Sequence, residues 1–339
     1  MTGVYGWFSQ RRPTMPGDPS EVQATNGVNF HRIAEPLRAV KAAGYTDTAV
    51  GSVLDDDVLD QFDTIVASML HGDRETEAWQ KIAANESHRL VLDVDDAMWA
   101  PDWSVFREHY TEQRLHNLLC NVTAAHVVTT PSPVIAEFLA AHNRNVWIVP
   151  NTVPGWVLDI ERGRLGDQPA VGWQGSPSHA RDWPMSQRRA LARFVREADW
   201  RMVFVGPGAV PEGWPDATVA LPWQPAGSAD YYESLRFDVG VGPLKDTTFN
   251  RCKSGLRAVE YAALGIVAVL PDLPMYRPWV EDGVTGRLVR SHQTLRNVLH
   301  EVAADPDWRH HMSVNARDRA GLWTTEAQVE RWLEAWMSR

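Results

Sequence analysis

At 339 residues, 44% hydrophobic and 22% charged, the chain is long enough for two ordinary globular domains, each with its own core. No apolar run reaches the roughly eighteen residues of a spanning helix. The first residues lack a long apolar segment behind a basic one, which argues against a secretion signal and for a cytoplasmic protein. A net charge of −10 makes the surface as a whole unattractive to polyanions. Cys120 and Cys252 stand outside any CxxC or Cys/His cluster, against a disulfide framework and a structural zinc site. The 16 Trp residues either fill cores or offer flat faces to sugars and bases.

Short apolar runs alternate with amphipathic stretches almost throughout, the pattern of parallel sheets covered by helices. In the first half, strands are expected over 4–8, 48–51, 64–68, 90–93, 126–129 and 146–149. Helices are expected over 29–43, ended by Gly44, and over 133–142, opened by Pro133. Periodicity fades over 151–169, where Pro154, Gly155, Gly163 and Gly166 recur, and the chain is expected to pass there between domains. A second strand series follows at 170–173, 202–205, 218–221, 239–242 and 267–270, with helices near 186–198 and 251–264. The last segment, 325–337, reads as an amphipathic helix. Thr325 and Gln328 form a candidate capping box, and Val329, Trp332, Leu333 and Trp336 make one apolar stripe. No strand follows it, so it is expected to dock on the first domain. The resulting divisions are 1–154, 168–320 and 321–339.

The stretch Phe249-Asn-Arg-Cys-Lys-Ser-Gly-Leu-Arg-Ala-Val-Glu-Tyr-Ala-Ala-Leu-Gly265 carries the richest chemistry. Read as a helix, it places Arg251, Lys253 and Ser254 at the positive end, where free N–H groups and side-chain charge hold a diphosphate. Glu260, further along the helix, is placed to accept hydrogen bonds from ribose hydroxyls. The bland alternative is a solvated helix with an Arg257–Glu260 ion pair. A second candidate, Gly172-Trp-Gln-Gly-Ser-Pro-Ser-His-Ala-Arg-Asp182, follows the first strand of the second half. There Gly175 and Ser176 leave room for a phosphate at the backbone, and His179 or Arg181 is a candidate to stabilise a leaving phosphate. It also reads as a capped turn. Asp93, Asp95 and Asp96 invite comparison with a metal-binding DxD pair, but the expectation is no metal, with Asp95 or Asp96 capping a loop or orienting an acceptor hydroxyl. Gly3 and Gly6 form a weak glycine-loop signal.

These stretches resemble the GT-B glycosyltransferases, in particular the retaining family 4 group and its phage and bacterial relatives. Lys253-Ser254 and Glu260-Tyr-Ala-Ala-Leu-Gly265 resemble that group's donor-binding helix. Pro274-Met-Tyr276 and Val280-Glu-Asp-Gly-Val-Thr-Gly286-Arg-Leu-Val289 resemble the strand-turn-strand segment that follows it. In the first half Phe30-His-Arg-Ile-Ala-Glu-Pro36, Asp93-Val-Asp-Asp96, Thr130-Pro-Ser132 and Val149-Pro-Asn151 match in the same order. One departure stands out. Many members carry two Glu residues separated by roughly two helical turns, and the earlier position is Cys252 here; the sugar contact is then sought in the loop 243–249.

The resemblance implies an α/β fold of two Rossmann-like domains facing each other across a cleft, with the C-terminal helix crossing back to the first. It implies transfer of a sugar from a UDP- or GDP-sugar to a hydroxyl, with retention, no cofactor and no metal. The leaving diphosphate itself helps deprotonate the acceptor. Gly175, Ser176, Arg251, Lys253, Ser254 and Glu260 are then the donor-site residues and His179, Asp95 and Asp96 the catalytic ones. Trp223 is a candidate base-stacking ring, and His31 and Arg32 join the acceptor side. The acceptor is a saccharide or glycoconjugate, with a protein or a hydroxymethylated DNA base as alternatives. A basic rim of Arg11, Arg12, Arg32, Arg38 and Lys41 would favour DNA. From other classes, a nucleotide-sugar-binding protein without turnover and a sugar-nucleotide epimerase remain open.

Overall fold

The computed structural model describes residues 3–8, 15–21, 26–104, 106–175, 182–206, 214, 218–222, 224–225 and 227–338. By its contacts the chain forms two compact units. One comprises Met1–Pro154, Cys252–Ser254 and Thr325–Arg339, the other Gly155–Arg251 and Gly255–Thr324.

Among the described residues, the first unit carries a six-stranded sheet of β1 (Val4–Trp7), β2 (Thr48–Gly51), β3 (Thr64–Ser68), β4 (Arg89–Asp93), β5 (Val127–Thr130) and β6 (Val146–Ile148). Every pairing is parallel, and the spatial order is β2-β1-β3-β4-β5-β6. The central strands are buried along their whole length, which is why they read as short unbroken apolar runs. The helix expected over 29–43 is a helical run from Gly27 to Ala42, interrupted by a π turn at Phe30–Ala34. Asn26 caps it by accepting from the Asn29 amide. The wide turn ends two residues before Pro36, which has no N–H to give and whose ring would press on the carbonyl four residues back. Both His31 and Arg32, on that turn, are buried. Gly6 on β1 lets the same segment approach: a Cβ there would lie 2.4 Å from Ile33 Cγ2 and 2.6 Å from Leu37 Cδ1.

Arg32 and Asp93 are both fully buried and form one ion pair. Arg32 Nε donates to Asp93 Oδ1 at 3.0 Å, and Nη2 donates to Oδ2 at 2.7 Å. Its Nη1 donates to the Val149 carbonyl at 2.7 Å and to Asn151 Oδ1 at 2.8 Å, while Thr129 Oγ1 donates to Asp93 Oδ2 at 2.6 Å. Two charges out of water are tolerated only when paired and hydrogen-bonded in this way.

The C-terminal helix spans Val329–Met337 and packs on this unit. Val329, Trp332, Ala335 and Trp336 share one core with Val4, Phe8, Ile33, Leu37, Val91 and Val127. The Arg32 guanidinium lies 4.6 Å from the centre of the Trp332 ring. The helix does not begin at Thr325 with a capping box. Residues 325–328 form a turn, Gln328 makes no side-chain cap, and Thr325 Oγ1 instead lies 2.9 Å from Thr152 Oγ1. A buried hydroxyl partner on another segment outweighs the local cap.

The second unit carries, among the described residues, a parallel sheet of β7 (Ala170–Gln174), β8 (Arg201–Val205), β9 (Thr218–Leu221), β10 (Val239–Val241), β11 (Val267–Pro271) and β12 (Gly286–Val289). Its order is β12-β11-β10-β7-β8-β9. Strand β12 was not among the strands expected from periodicity, but it lies in the stretch where the family resemblance implies a strand-turn-strand segment. It is short, half-exposed and at the sheet's edge, so it lacks the apolar run of a buried strand. The helix expected over 251–264 is two pieces, Thr248–Arg251 and Leu256–Ala263. Gly255 stands at the break, where a Cβ would lie 2.1 Å from Trp279 Nε1 and 2.6 Å from the Met275 carbonyl oxygen.

Asp93→Ala leaves the Arg32 charge buried and unpaired, and is expected to destabilise the protein by about 3–5 kcal/mol in urea unfolding. Lys41→Ala, which breaks an exposed pair with Asp18, is expected to change nothing measurable. Equal effects of the two substitutions would refute the structural role of the buried pair.

Candidate functional site

In the second sheet the chain winds from β7 through β8 to β9, then resumes on the other side of β7 with β10, β11 and β12. Neighbouring strands β7 and β10 therefore send their following segments in opposite directions. In open α/β sheets, ligands bind outside the carboxyl ends of the strands at such a point.

Gln174, the last residue of β7, organises a buried polar network there. Its Nε2 donates to Glu260 Oε2 at 2.9 Å and to the Tyr231 hydroxyl at 3.2 Å. The Tyr231 hydroxyl in turn donates to Glu260 Oε1 at 3.1 Å. Arg257 Nε donates to Gln174 Oε1 at 3.0 Å, and its Nη2 to the Gln174 carbonyl at 3.1 Å. Arg257 and Glu260 sit one turn apart on the helix Leu256–Ala263, so one face presents both to the end of β7. Tyr231 comes from the helix Ala229–Glu233, capped by Ser228. Burial pushes the Glu260 carboxyl up to about 7, against the pull of the Tyr231 and Gln174 hydrogen bonds and the Arg257 charge.

Several expectations change here. Glu260 is buried, and each of its oxygens already holds a donor. The Arg257–Glu260 pair expected on an exposed helix is replaced by a chain of contacts through Gln174. The Gly175 amide donates to the Val205 carbonyl at 3.0 Å and so is not offered to a phosphate. Arg251 closes the helix Thr248–Arg251 rather than opening the next one, and its Nε pairs with exposed Asp246 at 2.5 Å. Lys253 and Ser254 lie in the break and belong by contacts to the first unit. Ser176, His179, Arg181 and Trp223 lie outside the described residues. Gln174, Arg257 and Tyr231 were missed. The signal for Gln174 was available: it is a polar residue closing the first strand of a Rossmann-like half.

In the first unit, Asp95 and Asp96 follow β4. Asp96 accepts from the Tyr110 hydroxyl at 2.6 Å and lies 3.5 Å from the Lys253 ammonium. Ser254 Oγ accepts from Asn151 Nδ2 at 2.9 Å. Burial raises the proton affinity of Asp95, and the neighbouring charges of Asp96 and Asp93 raise it further. Asp93 is no ligand in waiting, because Arg32 and Thr129 occupy it. Nor do His31 and Arg32 offer themselves to an acceptor. Arg32 is fully buried, and His31, 3.3 Å from the Thr152 carbonyl, has its pKa pushed down to about 4 by burial. Among the described residues of the expected basic rim, none is an unpaired surface cation. Arg32 is internal, Arg38 pairs with Glu35 and Glu326, Lys41 pairs with Asp18, and Arg11 and Arg12 lie outside the described residues. The case for a DNA acceptor loses its support.

No protein-family model matches the chain, and no curated protein matches it significantly. Solved structures do. Sucrose-phosphate synthase from Thermosynechococcus elongatus superposes with a TM-score of 0.68 at 14% identity, covering 98% of each chain. HepE from Anabaena, solved with UDP-glucose, gives 0.67 at 15% identity over 98% of this chain and 99% of that one. WaaG, a glycosyltransferase involved in lipopolysaccharide biosynthesis, gives 0.63 at 14% identity over 99% and 100%. Two parallel sheets of this kind define a protein of two Rossmann-like units. With these neighbours, the fold is GT-B.

The Glu260 carboxyl titrates near 4.5 when unfolded and at about 7 in the fold, so the folded chain holds an extra proton between those values. Its contribution to stability is complete below pH 4.5 and is lost as the pH rises to about 7. Across that window Glu260→Gln is expected to lose less stability than wild type, by on the order of 3 kcal/mol. Parallel pH profiles of the two proteins in denaturant titrations would rule this out.

Proposed function

We propose that the chain is a glycosyltransferase that moves a sugar from a nucleoside-diphosphate sugar, in first place a UDP-sugar, to a hydroxyl of a saccharide or glycoconjugate. The observation that carries this reading is the Gln174–Arg257–Glu260–Tyr231 network at the switch point of the second sheet, in a GT-B fold. The UDP-glucose of the HepE structure and the UDP and α-GlcNAc-glycerol of a TarM structure support the same donor and acceptor classes.

The residues divide the work as follows. Arg257 is held at the end of β7 by Gln174, and Arg251 is exposed on a weak, screened pair with Asp246; both are proposed to meet the diphosphate. Glu260 is proposed for the ribose, whose hydroxyls would replace one of its present donors. Ser176 and His179 keep the donor-side roles that the family resemblance implies. In the transfer, the bond from the sugar's anomeric carbon to the diphosphate oxygen breaks and a bond to the acceptor oxygen forms. The acceptor's proton passes to the leaving diphosphate, whose growing charge the two arginines stabilise. Departure and attack on one face retain the configuration. In the first unit, Asp95, with its raised proton affinity, and Asp96 are proposed to hold the acceptor hydroxyl. No step calls for a metal.

The test is a panel of UDP- and GDP-sugars, scored first for free nucleotide and then for acceptor-dependent product. Turnover to a glycoside separates this reading from a binding protein, and from an epimerase, which would alter the sugar without releasing nucleotide. Arg257→Ala is expected to weaken donor binding by about 1.5–3 kcal/mol. Excess chelator is expected to leave the rate unchanged. A rate that disappears with chelator and returns with manganese would overturn the metal-free mechanism.

A further inference from the structure

The loop that follows β10 ends on a side chain that the network above leaves unused. Asn250 is 1% exposed and lies on the helix Thr248–Arg251. Its Nδ2 donates to Asp182 Oδ1 at 2.7 Å and to the Lys245 carbonyl at 2.9 Å. Asp182 is itself 2% exposed and precedes the helix Met185–Ala198 on the segment leaving β7. The pair thus ties together the two segments that depart from β7 and β10, the strands between which the sheet reverses its order. Because both partners of Nδ2 are acceptors, the amide can face only one way. Its Oδ1 is then buried, and no donor among the described residues reaches it. A buried amide oxygen without a donor is uncommon in a folded protein and calls for an explanation.

We propose that Asn250 is a specificity-determining residue whose Oδ1 accepts a hydrogen bond from a hydroxyl of the donor's sugar. This rests on the glycosyltransferase reading above and adds to it the group that recognises the transferred sugar. The chemistry selects the ligand. An amide oxygen next to the Asp182 carboxylate and the Lys245 carbonyl repels a diphosphate and welcomes a neutral O–H. Sugar hydroxyls are such donors, and a site with an acceptor waiting discriminates strongly against an analogue that lacks the hydroxyl.

The experiment titrates the protein by calorimetry with UDP, UDP-glucose, UDP-galactose, UDP-N-acetylglucosamine and GDP-mannose. It then uses the deoxy analogues of whichever sugar nucleotide binds most tightly. On wild type, one deoxy analogue is expected to bind roughly tenfold more weakly than its parent. Asn250→Ala is expected to weaken the parent by the same factor, to show no further loss with that analogue, and to bind the bare nucleotide as wild type does. If wild type binds every deoxy analogue like the parent, the inference is overturned, and this arm does not depend on the variant folding. It is overturned too if Asn250→Ala weakens the bare nucleotide as much as the sugar nucleotide. Failure of wild type to bind any of the five compounds would instead overturn the glycosyltransferase reading on which it rests.

Discussion

The buried pair of Arg32 and Asp93 is the constraint around which the first unit is organised. One guanidinium gathers the carboxylate at the end of β4, the carbonyl of Val149 beyond β6 and the side chain of Asn151, while the Trp332 ring lies over it. Three distant stretches of chain thus meet at a single planar cation, whose rigid fork of donors suits such a junction better than an ammonium would. The π turn before Pro36 belongs to the same arrangement, since Arg32 sits on it and points into the core.

The second unit handles buried charge differently. Arg257 reaches Gln174 rather than the carboxylate of Glu260, so Glu260 is stabilised mainly by neutral donors, and burial lifts its proton affinity. A fully matched ion pair suits a junction that must not move. A carboxylate held by a hydroxyl and an amide can exchange partners at little cost, as a ligand-binding position requires. On the proposed function, the contrast is between a charge that holds the fold and one that would meet the donor.

Much of the fold was legible because parallel strands buried on both faces leave dense apolar runs that no helix pattern imitates. The stripe of Val329, Trp332, Leu333 and Trp336 announced a docking helix for the same reason. What stayed hidden depended on contacts far apart in sequence. From the sequence, Arg32 falls to the acceptor side and the basic rim and Asp93 to a DxD-like acidic segment, since nothing local shows that each is the other's partner. Gly255 looked like an ordinary helix residue because the ring that interrupts the helix, Trp279, lies 24 positions away by number (279 − 255). Gly175 looked like a phosphate contact until its amide was found on Val205. The motif singles out the stretch that carries Arg257 and Glu260 but not the polar network they join, because Gln174 and Tyr231 acquire meaning only once β7 and its neighbouring helices are assembled.

The placement of the last helix also bears on the order in which the protein matures during synthesis. All six strands of the first sheet have been translated by Ile148, yet the core beneath them lacks Trp332 and Trp336 until the end of the chain emerges. The second unit, almost contiguous in sequence, has every strand of its own before that. The unit made first is therefore completed last. Until residues 329–337 are made, the apolar side chains of that core lack part of the surface that buries them in the finished protein.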